Sequence, residues 1–132
     1  MNKKVIITAI SLIILGIILD AFSAHALKKL INFEQLTSFK VGTKYHLFHS
    51  FALLIFGFNY SKLNLSLRTI SLFVSGIFCF SFSIYLLSIQ ELLNANLSII
   101  GPITPIGGLL FIFAWINLLV NVIAIKQKQS VK

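Results

Sequence analysis

Four long runs of apolar residues, separated by short polar segments, organise the chain: Val5 to Leu27, Val41 to Tyr60, Leu67 to Ile89 and Pro105 to Ile125. Each run reaches the roughly 20 residues that a helix needs to cross the hydrocarbon core of a bilayer. The first carries no charge until Asp20, and the second has its apolar heart at Phe48 to Phe58. Connections this short make neighbouring helices antiparallel. The pattern therefore predicts an all-α membrane protein, with four transmembrane helices in an up-down antiparallel bundle and a single domain over residues 1–132.

Local signals sharpen the helix ends. Asn32-Phe33-Glu34-Gln35 has the spacing of a capping box, so the second helix is expected to start near Phe33, ahead of Val41. Gly101-Pro102 marks a turn, with Thr104 read as an N-cap and Pro105 at the first helical position. Gly107 and Gly108 follow at once, and Gly16 and Gly76 stand on small-residue stripes; such residues let helix backbones meet inside a membrane. Asn117 and Asn121, one turn apart, are read as polar glue between helices. Met1 to Lys4, the apolar run to Leu19 and Ala24-His25-Ala26 imitate a signal peptide, but Asp20 and His25 sit awkwardly beside that cleavage site. The segment is read as a retained span.

Composition agrees with the pattern. The chain is 58% hydrophobic and 11% charged, against about 25% charged residues in an ordinary soluble domain. A soluble enzyme and a disordered tail are excluded, and a single cysteine excludes a disulfide scaffold. The net charge of +8 changes the picture only through its placement. Lys3, Lys4, Lys62, Arg68, Lys126, Lys128 and Lys132 share one side and outnumber Lys28, Lys29, Lys40 and Lys44 on the other. The bias puts both termini in the cytoplasm. No basic stripe with interleaved aromatics exists on a soluble face, so nucleic acid is not a partner.

The candidate chemistry lies in the polar residues that the bilayer tolerates poorly. An ionisable residue within a span costs roughly 2.5–3.5 kcal/mol at its centre on insertion scales, which singles out Asp20. The predicted topology carries Asp20, His25, Tyr45, His46, His49, Tyr85 and Thr104 to similar depth on the outer side. Ala9, Gly16, Asp20 and Ser23 share the inward face of the first helix, and His46, His49, Leu53 and Gly57 share a face of the second. His46 and His49 at i, i+3 make a weak metal signal, so neither metal nor cofactor is assigned. Cys79 is read as packing, as is Trp115 in mid-span, and no catalytic residue is assigned.

At these same residues the chain resembles the domain-of-unknown-function 423 family, whose animal relatives are called transmembrane protein 256. Asp20 to Lys28 resembles the family's Gly-Ala-Phe-Gly-Ala-His-Ala-Leu-Lys signature, and Tyr45 to Leu54 its Tyr-x-x-Tyr-His-Ala-x-Ala-Leu-Leu segment. Phe80 to Leu86 resembles Phe-Ser-Gly-Ser-Leu-Tyr-Leu, while Gly101 to Trp115 carries Ile-Thr-Pro-Ile-Gly-Gly-Leu-Leu-Phe-Ile and then a Trp. Asp20, Ser23 and Phe82 each replace a family glycine, whereas His25, His49, Tyr85, Thr104 and Pro105 stand at motif positions. The resemblance implies a small four-helix protein of the bacterial inner (plasma) membrane and brings no activity with it. The leading expectation is a non-enzymatic accessory protein whose partners are the lipid bilayer and a homo-oligomer or larger membrane complex. The alternative is a small-molecule or proton-binding site formed by His25, His49 and Tyr85 at the outer side.

Overall fold

A computed structural model describes residues 1–130, and the side chains of residues 1–125. Lys132 and the side chains of Lys126 and Lys128, on which the orientation reading draws, lie outside the described residues. Among the described residues every regular element is helical. Helix α1 (Lys3–His25) leads through a 3-10 turn (Leu27–Lys29) into α2 (Phe33–Phe58). Helix α3 (Leu67–Gly76), a π-helical turn (Ile77–Phe82) and α4 (Ser83–Ser88) run on as one rod, and α5 (Ile103–Ser130) follows a second 3-10 turn (Ser98–Ile100).

Three stretches are long and apolar enough to cross a membrane: Lys3–Lys29, Leu67–Ser88 and Ser98–Ile125. Helix α2 is long enough at 26 residues, but Lys40, Thr43, Lys44, His46, His49 and Ser50 dilute its apolar character. Four of those six, Thr43, His46, His49 and Ser50, are buried against the other helices. The helix with the weakest membrane signal in sequence therefore carries the polar interior of the fold. This is why a scale that weighs residues one at a time passes over it.

Local signals act largely as expected. The Asn32 cap closes with both of its bonds, the Gln35 amide N–H donating to Asn32 Oδ1 at 2.9 Å and the Asn32 amide to Gln35 Oε1 at 3.1 Å. Thr104 departs from expectation, because α5 begins at Ile103 and puts both Thr104 and Pro105 inside its first turn. Pro105 costs nothing there, where amide donors lack helical acceptors. Asn64 (φ 47°) and Asn94 (φ 51°) hold the left-handed conformation that ends a helical turn. At the first, Leu65 N–H reaches Tyr60 O and Asn64 N–H reaches Ser61 O; at the second, Ala95 reaches Gln90 and Asn94 reaches Glu91. Both are Schellman closures with Asn in the place usually taken by glycine.

The packing reverses the soluble pattern. On α1 the buried positions are Val5, Ala9, Leu12, Gly16 and Ser23, while Ile7, Ile10, Ile14, Ile17 and Ile18 face outward. Without a hydrophobic drive between helices in lipid, small residues and polar bonds hold the contacts. Along α1 and α2 the contacts run in opposite order, from Asn2 N–H donating to Gly57 O to Thr43 Oγ1 donating to Asp20 Oδ1. A Cβ on Gly57 would lie 2.6 Å from Ile6 Cγ1, and one on Gly16 2.7 Å from Leu47 Cδ2.

The second interface joins the α3–α4 rod to α5, again in opposite order. Thr69 Oγ1 donates to Asn117 Oδ1 at 2.6 Å, a Cβ on Gly76 would meet the Phe111 ring at 2.6 Å, and Ser83 Oγ lies 2.7 Å from Thr104 Oγ1. Asn117 thus makes the bond across helices, with Asn121 Nδ2 donating weakly to it at 3.4 Å within α5. Thr69→Val should cost about 0.6 kcal/mol, the average for such bonds in membranes. A denaturant titration in detergent checks this against Thr37→Val, whose hydroxyl bonds only the Phe33 carbonyl of its own helix.

Candidate functional site

Helix α2 meets all three of its neighbours, and two polar centres lie one turn apart on it. The first is His46. Its Nδ1 lies 3.1 Å from the Tyr85 hydroxyl, with both residues buried. Gly42 makes room for that tyrosine, since a Cβ there would sit 2.7 Å from Tyr85 Cε1. Phe39 packs on the same ring at a centroid distance of 4.7 Å. The other nitrogen of His46, Nε2, is buried with no hydrogen-bond partner. Thr43 Oγ1 lies 3.0 Å from both Asp20 Oδ1 and Lys40 O, so one hydroxyl hydrogen serves a carboxylate and a carbonyl.

The second centre is His49. Its Nδ1 faces the Tyr45 carbonyl at 2.8 Å, and its Nε2 faces the indole N–H of Trp115 at 3.3 Å. A carbonyl only accepts and an indole N–H only donates, so the partners require a neutral imidazole protonated on Nδ1. The ring lies flat on Phe111, with centroids 3.6 Å apart and an 8° interplanar angle. Trp115 is in turn held edge-on by Phe73 at 5.1 Å and Phe56 at 5.9 Å.

Between α2 and α5 this second centre opens into a groove of about 680 Å³, whose walls include Tyr45, Phe48, Phe80, Phe111, Trp115 and Ile112. The buried His49, the exposed Lys44, Gly108 and Ile116 also line it. That volume falls within the range of about 300–1,000 Å³ common for small-ligand sites.

The π-helical turn sets the groove's far wall. Its widened backbone leaves carbonyls of Cys79 and Phe80 facing the Ser83 hydroxyl, at 2.6 and 2.9 Å. Ser83 has one hydrogen, and the carbonyls take it, so Thr104 must be the donor in the Ser83–Thr104 pair. Gly107 rests on the backbone of Cys79 and Phe80 at this point, with no space for a Cβ. The contact turns Phe80 towards Tyr45, with centroids 4.7 Å apart. Extra-residue turns of this kind are often found at functional sites.

The expected outer cluster is therefore divided. Tyr85 pairs with His46, while His49 pairs with Trp115. Asp20 is exposed and bound through Thr43, and Ser23 bonds back to the Asp20 carbonyl at 2.8 Å. Tyr45 stacks over His49 at 6.0 Å and lines the groove. His25 is exposed in the last turn of α1 and shares no hydrogen bond with either centre. Thr104 serves the helix contact with Ser83, as do Gly76 and Gly107 the contacts with Phe111 and Phe80, whereas Gly108 has room, a Cβ there lying 3.8 Å from Phe80. Sequence reasoning missed Trp115, read as bulk packing; its signal was its place at the end of the Gly101–Trp115 motif. Among the described residues no group of three His, Cys, Asp or Glu side chains is placed to hold a metal.

Fold and site together define a small all-helical membrane protein whose buried histidines both lie on α2. A family model described as "Protein of unknown function (DUF423)" matches residues 19–108, and the chain belongs to that family. It is 37% identical to UPF0382 membrane protein YwdK of Bacillus subtilis, over 91% of this chain and 95% of that relative. It is 36% identical to UPF0382 membrane protein SAB0533 of Staphylococcus aureus, over 76% of this chain and 79% of the relative. A UPF0382 membrane protein of Haemophilus influenzae is 35% identical over 76% of this chain and 77% of its own length. No solved structure matches the chain. The matched family region contains His46, His49, Tyr85 and Gly107, while Phe111 and Trp115 fall beyond it.

Proposed function

We propose that the chain is a single four-helix domain crossing a bacterial plasma membrane, with spans at about 5–27, 41–60, 67–89 and 105–125. In this reading the helices run up and down, the termini face the cytoplasm, and the protein holds one apolar or amphiphilic molecule in the groove between α2 and α5. It catalyses no reaction. What supports this function is the pairing of His49 with Trp115 beside a groove of about 680 Å³. Bonded to each other, these groups present a wall that an apolar molecule can cover without leaving a polar atom unpaired. The proton-binding alternative at His25, His49 and Tyr85 is the less favoured reading, because Tyr85 bonds His46 and His49 bonds Trp115.

Gly108 offers a direct test, because it lines the groove and has room for a larger side chain. Trp115 is the chain's one tryptophan and lines the same groove, so its fluorescence reports what enters. In vesicles made with bromine-labelled acyl chains, Trp115 should be strongly quenched in the parent protein. Gly108→Leu should reduce that quenching by about half or more while the unfolding midpoint stays within ~0.5 kcal/mol, the usual range for substitutions that disturb no packing. Equal quenching in both proteins would sink the groove as a binding site.

A further inference from the structure

The groove has one full positive charge on its lining, Lys44. Lys40 stands one turn earlier on α2, and both lysines are exposed. One turn in the other direction lie Phe48 and His49, about 7 Å deeper along the helix axis. The groove thus carries its cationic end towards the start of α2 and its aromatic end towards the middle of that helix. Inside, both nitrogens of His49 and the Trp115 N–H already have partners within the protein. Lys44 is the charged group left to meet a polar part of a ligand, with the exposed Tyr45 beside it in the lining, and the part an ammonium meets best is anionic.

Charge placement along the chain points the same way. With the orientation proposed above, Lys28, Lys29, Lys40 and Lys44 lie on the outer side, where the positive-inside tendency disfavours lysine. Orientation therefore does not account for them. A lysine near a membrane surface attracts anionic headgroups in the leaflet it faces, at a gain of about fivefold in affinity per well-placed charge.

We infer that the groove selects a phospholipid of net negative charge, its phosphate against Lys44 and one acyl chain against Phe48, Phe111 and Trp115. This deepens the groove reading and rests on it. The headgroup belongs to a lipid of the same leaflet, because the groove faces sideways between two helices and its walls are apolar below the lysine. A soluble phosphate would find one ammonium there and leave the aromatic wall uncovered.

The experiment compares two bromine-labelled lipids, phosphatidylglycerol and phosphatidylcholine, each titrated into vesicles holding the full chain, with Trp115 quenching as the readout. Phosphatidylglycerol should be preferred about fivefold, and Lys44→Gln should bring the preference close to one. Lys44→Arg should keep it, and Lys62→Gln, on the opposite side by the proposed topology, should leave it unchanged. Free inorganic phosphate added to 10-fold excess should not compete; if it did, the site would be one for a soluble anion and the lipid assignment would fall. Equal quenching by the two lipids, still reduced by Gly108→Leu, would overturn the headgroup preference and leave the groove reading standing. Quenching that Gly108→Leu leaves unchanged would remove both.

Discussion

Gly107→Ala should destabilise the protein by about 3 kcal/mol or more, at the upper end of what added volume costs in a packed core. The neighbouring Gly108→Ala should be neutral or stabilising by up to about 1 kcal/mol, through better helix propensity. The two glycines are adjacent in sequence and identical in chemistry. They differ in what a single methyl group would meet. At Gly107 it meets the backbone of Cys79 and Phe80 in the π-helical turn, which cannot rotate aside. At Gly108 the nearest atoms belong to the Phe80 ring, at 3.8 Å. A misplaced Gly107 would also pull Thr104 away from Ser83, whose hydroxyl closes the turn's free carbonyls. Denaturant titrations of both variants in the same detergent decide the matter. Equal midpoints would mean that α5 does not rest on the rod at this turn.

The second large effect is expected at His49. His49→Ala should cost about 2–4 kcal/mol, combining the cavity left by a buried ring with an indole N–H stripped of its acceptor. The stacked contact with Phe111 is lost as well, a further ~0.5–1.5 kcal/mol where aromatic pairs have been measured. His49→Gln retains an acceptor for Trp115 and should recover part of the loss. His25→Ala should lie within about 0.5 kcal/mol of the parent, as befits an exposed residue. Both histidines stand at motif positions, so the comparison separates what a motif says from what a contact does. A His25 variant as unstable as the His49 variant would contradict the separation of the two residues.

Much of the architecture was legible before any coordinates. Apolar runs of membrane length, the Asn32–Gln35 cap and the glycine stripe that meets α5 are local or periodic properties, and a sequence displays such properties directly. The sequence pattern places the start of α5 two residues late, because Thr104 looks like a cap and its hydroxyl instead satisfies a neighbour on the α3–α4 rod. The π-helical turn had no sequence signal strong enough to read. It arises where the rod must accommodate Gly107 at backbone distance, and that demand comes from another helix.

The same division holds for the site. Composition and periodicity by themselves determined that this is a helical membrane protein, and that its unusual residues are Asp20, the histidines and the tyrosines. Depth along a span follows from counting residues, so a shared level is the most that the sequence predicts for them. Which of them touch depends on how each helix is rotated about its axis and on how closely the backbones approach. Gly42 lets Tyr85 reach His46, and Gly107 sets α5 so that Trp115 reaches His49. Those rotations are settled by packing between helices, where a single methyl group decides the distance, and only the tertiary structure records them.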